Sequence, residues 1–307
     1  MTIPNYPKVV AFGTNGTDEV LNGTVRIDEK VDGSQFGFGL EAPGGDVLFR
    51  SHGAQIYIES CPSTFKLVVD HVLAHQGWLR SFSADSYPIY FYGEAITKPK
   101  HNVLTYMTVP QGSVVLFDAL VGGKWVNTRC LEYSACGMDI TFIPPLFEGE
   151  ITKDSLMTLF EGIGDRVSAL GGTAPEGLVV KNYSKYMNIG GNVWPIMVKL
   201  VRQQYKEKHA REWASQTGKA PIQSLVESFK GDEARWNKAI MHLREQGVLE
   251  NSPRDIGKLI AYVQQDMMDE EKEAIKGKLW QLYSRDFQRA SVAGLAEFYK
   301  NQLAQEA

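Results

Sequence analysis

Short runs of alternating apolar and polar residues dominate roughly the first two thirds of the chain. This two-residue period is typical of β-strands that are buried on one face, and turn-forming Gly, Pro, Asn and Asp separate the runs. The pattern predicts strands at residues 20–29, 35–40, 47–50, 89–94 and 113–118.

Apolar residues at helical spacing occur at two places within this strand-rich part. Ser63 is a suitable N-cap for a helix that extends to Leu79. Thr152 precedes a second helix, which is expected to end where Gly171 and Gly172 break the pattern.

The pattern changes after Tyr205, where β-like runs disappear and charged residues interleave with large apolar ones at helical spacing. Gly231, Gly247 and Pro253 break this part into segments. We predict helices near residues 222–230, 232–246, 253–267, 270–283 and 285–302. The chain is thus expected to be α+β, with antiparallel sheets and flanking helices in residues 1–207 and a small all-α domain in residues 208–307.

Composition adds few constraints. The net charge of the 307 residues is −4, so any basic groove for a nucleic acid has to be local. No two of the three cysteines are spaced as Cys-x-x-Cys, which argues against a disulfide framework or a zinc ribbon. No apolar run approaches the length of a membrane span, and we expect a cytoplasmic protein, or one in the host cytoplasm if a phage encodes it.

Candidate chemistry begins with Lys30, which follows a predicted strand and precedes Asp32 and Gly33. About 150 residues later, Glu176 and Gly177 open an apolar run that ends at Lys181. A lysine amine is a nucleophile only when neutral, and its pKa in water is near ~10.4. We expect nearby cations and partial burial to lower the pKa of Lys30.

This combination resembles the ATP-dependent polynucleotide ligases, which are covalent nucleotidyltransferases, and is most similar to the RNA ligases of phages and of kinetoplastid editing. The resemblance extends over roughly residues 20–207 and implies that the first domain is an adenylyltransferase. It implies that Lys30 forms a lysyl-AMP bond with ATP, that AMP passes to a 5′-phosphate, and that a 3′-hydroxyl then displaces AMP. Mg²⁺ or Mn²⁺ would neutralise the phosphates, with Glu176 as the metal ligand.

The same resemblance assigns further residues to the nucleotide. Glu94 would hold the ribose hydroxyls, Phe117 would stack on the base, and Arg50 would contact a phosphate or the 5′-end. Lys199 would meet the α-phosphate and act with Lys30 in catalysis. Three more positions, which follow from the same motifs, are placed among the nucleotide contacts: Glu29, Gln35 and Lys181.

One departure from the family pattern concerns the last motif. Similar ligases have Lys-x-Lys there, whereas this chain has Val201 at the second lysine position and Arg202 one residue later. Arg202 is expected to point to the opposite face of its strand. The second cationic contact is therefore left open, with Lys181 as one candidate.

RNA ends, in a nicked duplex or as single strands, are the expected substrate. DNA ligases similar in their core usually append a β-rich OB-fold, whereas the tail of this chain is predicted to be helical. A DNA ligase and a non-catalytic relative that binds nucleotide or RNA remain the alternatives. We expect the helical tail, residues 208–307, to bind the nucleic acid.

His71 and His75 have the four-residue spacing of a metal-binding pair on a helix. No glutamate that could act as a base stands between them, and we interpret the pair as part of an ordinary helix face.

Overall fold

The computed structural model describes residues 2–14, 16–42, 44–82, 88–189, 191–202, 222, 225–226, 229, 231, 233–296 and 298–299. Two sheets with flanking helices form its first part, which confirms the α+β prediction. Among these residues, no helix has the length and apolarity that a membrane crossing requires.

The first sheet has five strands in the order β1-β12-β11-β2-β10, and all its pairs are antiparallel except β1 with β12. Apolar residues on one face of it, including Ile27, Val180 and Val198, pack against Leu156 of a helix. The strands are β1 (Val10–Ala11), β2 (Val25–Glu29), β10 (Phe147–Gly149), β11 (Gly177–Ile189) and β12 (Asn192–Val201).

The second sheet follows the order β5-β4-β3-β6-β7-β8, and β9 is added in parallel to β7. The two-residue period of β3 separates its faces: Phe36, Phe38 and Leu40 enter the core under the helices, and Gln35 and Gly37 point the other way. The strands are β3 (Ser34–Leu40), β4 (Leu48–Ser51), β5 (Gln55–Ile56), β6 (Ile89–Ala95), β7 (Val114–Val121), β8 (Lys124–Trp125) and β9 (Thr141–Phe142).

Three helices lie against the second sheet and one against the first. Phe65, Val68 and Leu131 lie in the same core as the phenylalanines of β3. The helices are α1 (Ser63–Ala74), α2 (Gln76–Ser81), α3 (Thr128–Gly137), α4 (Lys153–Glu161), and, later in the chain, α5 (Glu233–Glu245) and α6 (Ile256–Ser291).

Several predicted boundaries were wrong. The helix that begins at Ser63 is interrupted at His75, and the one after Thr152 ends at Glu161 and continues only as a 3-10 turn to Asp165. The segments predicted near 253–267, 270–283 and 285–302 mostly form one helix, α6, because no proline interrupts residues 256–291.

The division between residues 207 and 208 falls outside the described residues and stays a prediction. Among the residues described after it, Glu233–Leu259 cluster with the sheets into one compact unit. A second compact unit contains the part of α6 that begins at Ile260.

Candidate active site

A cavity lies between the inner faces of the two sheets. Its walls contain five of the residues that the motifs predict for the site: Glu29, Lys30, Glu94, Phe117 and Lys181. The walls also contain Tyr6, Arg26 and Asp28, which belong to none of the motifs. The alternation of Arg26, Asp28 and Lys30 along one strand face was a signal for two of them.

Lys30 stands at the end of β2, where its backbone N–H donates to the carbonyl oxygen of Gly177 at 2.9 Å. Its Nζ lies 2.5 Å from Oε2 of Glu176, so residues 146 positions apart in the sequence form an ion pair. The pairing of β2 with β11 produces this approach, because Leu178 is in register with Glu29.

The pKa of Lys30 is raised rather than lowered. Burial lowers the pKa of the amine, but the ion pair with Glu176 and the charges of Glu94 and Asp32 together outweigh burial. The expected cationic surroundings are therefore absent from the described contacts of Lys30, and the amine is held as an ammonium among carboxylates.

Asp32 and Gly33 shape the loop after the lysine. The Asp32 carboxylate accepts from the backbone N–H groups of Val103 and Leu104 at 2.8 and 2.7 Å. A Cβ at Gly33 would lie 2.9 Å from both the carbonyl oxygen of Ala95 and the Cβ of Glu94, so only glycine fits without a shift. The Lys-x-Asp-Gly motif thus anchors the loop beside β6.

Glu94 lies on β6 directly opposite Gln35 of β3. Burial raises the pKa of Glu94 to about 8; Lys30 opposes this rise, and Asp32 and Glu245 add to it. The Gln35 side chain is on the cavity face of the sheet but does not line the cavity itself. Its contact with a phosphate stays a prediction.

Phe117 occupies an irregular position of β7, where the register with β6 shifts between Tyr92 and Gly93. The ring of Tyr6 meets it edge-on with centroids 5.0 Å apart, and Nζ of Lys181 lies 4.9 Å from its centroid. These two neighbours restrict the space around the ring. Stacking of Phe117 on a base stays a prediction.

A buried network of charges underlies this part of the cavity. Asp118 is fully buried, and it accepts from the hydroxyl of Tyr6 at 2.6 Å and from that of Tyr183 at 2.9 Å. Lys181 lies 3.2 Å from the same carboxylate and 2.8 Å from Asp28. Arg26 pairs with Asp28 at 3.1 Å and donates to the carbonyl oxygen of Phe117.

Glu29 and Arg50 form hydrogen bonds with other parts of the protein chain. Glu29 accepts from the hydroxyl of Ser168 and from the N–H of Ala169 at 3.0 Å. The Arg50 guanidinium donates to the carbonyl oxygen of Ile3 at 2.5 Å, and Arg50 does not line the cavity. Direct contact of either residue with nucleotide or RNA stays a prediction.

Lys199 lies on β12 opposite Val179, and Val179 is opposite Asp28. This register places Lys199 on the face of the first sheet that turns toward the cavity, although the cavity wall does not include it. Val201 is two residues further along the same face. Arg202 instead donates to the carbonyl oxygen of Pro175 at 3.0 Å.

Helix α5 supplies an acid that the motifs did not identify. Ser34 donates its hydroxyl hydrogen bond to Glu245, and its Oγ lies 2.8 Å from Nε2 of His101. Burial raises the pKa of Glu245 to about 7, and the bond from Ser34 opposes the rise. Glu245 thus lies near enough to raise the pKa of Glu94, although it lies beyond the matched motifs.

Ending the chain at residue 207 is therefore expected to lower the free energy of unfolding by at least about 2 kcal/mol relative to a chain that ends at Leu259. The shorter chain loses the buried side chains of Ala239, Leu243 and Glu245, and burial of one large apolar side chain contributes about 1.5–3 kcal/mol. Urea unfolding of the two chains, followed by circular dichroism, measures the difference. Equal unfolding midpoints and slopes would contradict a structural role for α5.

Comparison with known protein families decides the affiliation of the chain. The family model described as RNA ligase matches residues 23–201, which is more than half of the sequence. The chain belongs to the RNA ligase family. This confirms the family suggested by the motifs. No curated protein matches this RNA ligase family member in sequence.

Among solved structures, the chain is similar to RNA ligase of Naegleria gruberi in several states. An arginine-to-alanine mutant with ATP and Mn has 14% identity and a TM-score of 0.47, with 67% of this chain and 58% of that chain covered. The complex with PPi has 13% identity and a TM-score of 0.44, with 68% and 60% covered. The chain thus spans less than two thirds of the length of these ligases.

Proposed function

We propose that the protein is an ATP-dependent RNA ligase that joins 3′-hydroxyl and 5′-phosphate ends through lysyl-AMP and adenylylated RNA. The observation that carries the proposal is the position of Lys30. Its amine lies in a cavity between two sheets, 2.5 Å from Glu176 and beside Glu94, in a chain of the RNA ligase family.

In the first step, the Lys30 nitrogen attacks the α-phosphorus of ATP and pyrophosphate leaves. The N–P bond replaces the P–O bond to pyrophosphate, and the amine must have lost its proton beforehand. Glu176 is placed to accept this proton, because its carboxylate already pairs with the ammonium at 2.5 Å. The phosphoryl transfer then depends mainly on positioning and charge neutralisation.

The residues around Lys30 suit a hard divalent cation. Glu176, Glu94 and Asp32 all raise the pKa of one amine, an excess of acidic groups that a Mg²⁺ or Mn²⁺ ion would offset. The oxygen donor of Glu176 is the ligand type that these ions prefer. Such an ion, when bound, neutralises the phosphates of ATP.

The walls of the cavity support separate roles in ATP binding. Glu94, with its raised pKa, can both donate to and accept from ribose hydroxyls near neutral pH. Phe117 offers the base an aromatic ring. Lys181 is already held by Asp28 and Asp118, which favours a role in fixing the Phe117 side of the cavity. Lys199 is then proposed to contact the α-phosphate, and no residue is assigned to the second cationic contact.

The proposed substrate is RNA, either as a nicked duplex or as single strands. The helical part after the matched region is proposed to bind this RNA. The family match supports RNA over DNA. The zero net charge that the sequence carries from residue 208 onward implies that the phosphate contacts are local.

Labelling with radioactive ATP tests the proposal directly. The full chain with Mg²⁺ should keep the label on a denaturing gel, and added pyrophosphate should remove it. Labelled 5′-phosphate RNA, offered as a nicked duplex and as single strands beside nicked DNA, should be sealed preferentially as RNA. A protein that binds ATP but never keeps the label is a non-catalytic relative, and preferential sealing of DNA would make it a DNA ligase.

Glu176→Ala and Glu94→Ala are expected to fail in different ways. Loss of Glu176 should raise the Mg²⁺ concentration needed for half-maximal labelling about 10-fold and should also lower the rate at saturating Mg²⁺, because this carboxylate is proposed both to bind the metal and to accept the Lys30 proton. Loss of the ribose contact should raise the ATP concentration needed by a similar factor, since each hydrogen bond contributes about 0.5–1.5 kcal/mol and one carboxyl group can contact both ribose hydroxyls.

Labelling rates titrated against Mg²⁺ and against ATP separate the two effects. Glu132→Ala serves as the control because Glu132 is an exposed acid on α3. If both cavity variants follow the curves of the control, the pocket has been assigned to the wrong residues.

A further inference from the structure

His71, His75 and Asp139 form a cluster on the side of the second sheet that faces away from the cavity. One ring nitrogen of each histidine and a carboxylate oxygen of Asp139 lie within 4.8 Å of one another. The two imidazole rings are stacked with centroids 4.3 Å apart. The histidines belong to the last turn of α1 and its C-cap, and Asp139 follows α3.

Both histidines have a ring nitrogen at hydrogen-bond distance from a backbone carbonyl oxygen. Nε2 of His71 lies 2.9 Å from the oxygen of Met138, and Nδ1 of His75 lies 2.9 Å from the oxygen of His71. When one nitrogen of a neutral imidazole donates to a carbonyl, the other retains the lone pair that a metal requires. Metal-binding histidines usually have such a partner.

The position of Asp139 is also defined by the fold. It has a φ of 53°, in the left-handed region that glycine or asparagine most often occupies just after a helix. Nε2 of Gln111 donates to its Oδ1 at 2.5 Å. A Cβ at Gly112 would lie 2.9 Å from the His71 ring, so Gly112 allows the loop of Gln111 to approach the cluster.

We propose that these three residues bind a divalent transition-metal ion, with Zn²⁺ as the best fit. Two imidazole nitrogens with one carboxylate oxygen are a donor set that suits Zn²⁺ far better than Mg²⁺. Metal–ligand distances of about 2.0–2.2 Å require the three atoms to draw closer, and water would complete the coordination. The ion would join the end of α1 to the turn after α3.

The ion would connect α1 and α3, which share one core against the second sheet. Val72 of α1 and Met138 beside Asp139 are both buried in it. An ion bound only by the folded protein raises its stability by mass action. The inference does not depend on the proposed ligase activity, and each can fail without the other.

Zinc binding by the full chain tests the inference. The protein is stripped with a chelator and titrated with Zn²⁺ by calorimetry in millimolar Mg²⁺, which occupies carboxylate-only sites. One Zn²⁺ per chain is expected, together with a higher unfolding temperature. His75→Gln and Asp139→Asn should each weaken binding at least about 10-fold and remove the rise in unfolding temperature.

His52→Gln is the matched control, because His52 is an exposed histidine on the β4–β5 connection and should leave binding unchanged. Asp139 is exposed as well, so Asp139→Asn should fold even if His75→Gln does not. Absence of stoichiometric Zn²⁺ binding by the unaltered chain, or equal affinity in Asp139→Asn and His52→Gln, would overturn the inference.

Discussion

Lys30→Ala will fold normally and will take up no label from ATP, a loss of at least about 1,000-fold in the rate of lysyl-AMP formation. Of the two lysines that line the described cavity, Lys30 pairs with one carboxylate, that of Glu176, and Lys181 pairs with two. Lys181, the other lysine of the wall, is held between Asp28 and Asp118 at 2.8 and 3.2 Å. Removal of the Lys30 nitrogen therefore removes the nucleophile itself.

Lys30→Arg sharpens the test, because arginine keeps the positive charge beside Glu176 but stays protonated at working pH. It should be as inactive as the alanine variant while unfolding at a temperature closer to that of the unaltered chain. Lys66→Ala is the control, since Lys66 is an exposed lysine paired with Asp70 on α1, and it should label fully. Label retained on folded Lys30→Ala protein would end the assignment.

Asp118→Ala has the largest expected effect on stability, a loss of about 3–5 kcal/mol in the free energy of unfolding. The carboxylate is fully buried and is the common partner of Lys181 and Arg26, at 3.2 and 3.6 Å. Its removal leaves two buried cations short of one counter-charge, and it leaves the hydroxyls of Tyr6 and Tyr183 without their acceptor.

Guanidinium unfolding measures this loss. Asp118→Asn keeps one acceptor oxygen for the tyrosine hydroxyls and should lose less than the alanine variant. Asp70→Ala is the surface control, because its pair with Lys66 is half exposed, and it should change stability by no more than about 0.5 kcal/mol. If Asp118→Ala is as stable as Asp70→Ala, the network does not hold the cavity together.

Local patterns identified five of the twelve described strands, β2, β3, β4, β6 and β7, because each is a short apolar run with clear turn signals. They were less successful with helix ends. The break at His75 interrupts a pattern that continues to Leu79, and Leu79 is still fully buried on α2. The hydrophobic period alone therefore cannot reveal that one helix has become two.

The sequence by itself determined the family and the order of the motifs, because Lys30, Glu94 and Glu176 stand in short runs whose residue types are tied to their chemistry. The two-residue period of the strand also places Arg26, Asp28 and Lys30 on one face, although the motifs point to Lys30 alone. No packing information was needed for these inferences.

Only the tertiary structure decided which distant groups meet. Tyr6 forms a hydrogen bond with Asp118, 112 residues away, and Glu245 forms one with Ser34, 211 residues away. The local sequence around these residues does not indicate which partner each will have. The charges around Lys30 also come from residues far away in the sequence, such as Glu94 and Glu176. These charges raise the pKa of Lys30, whereas the motifs predicted a lowered pKa. Asp139 likewise lies beside His71 and His75 only because α1 and α3 pack on one sheet. The physical reason is that burial and Coulomb interactions depend on distance in space, and the spacing of residues along the chain does not specify that distance.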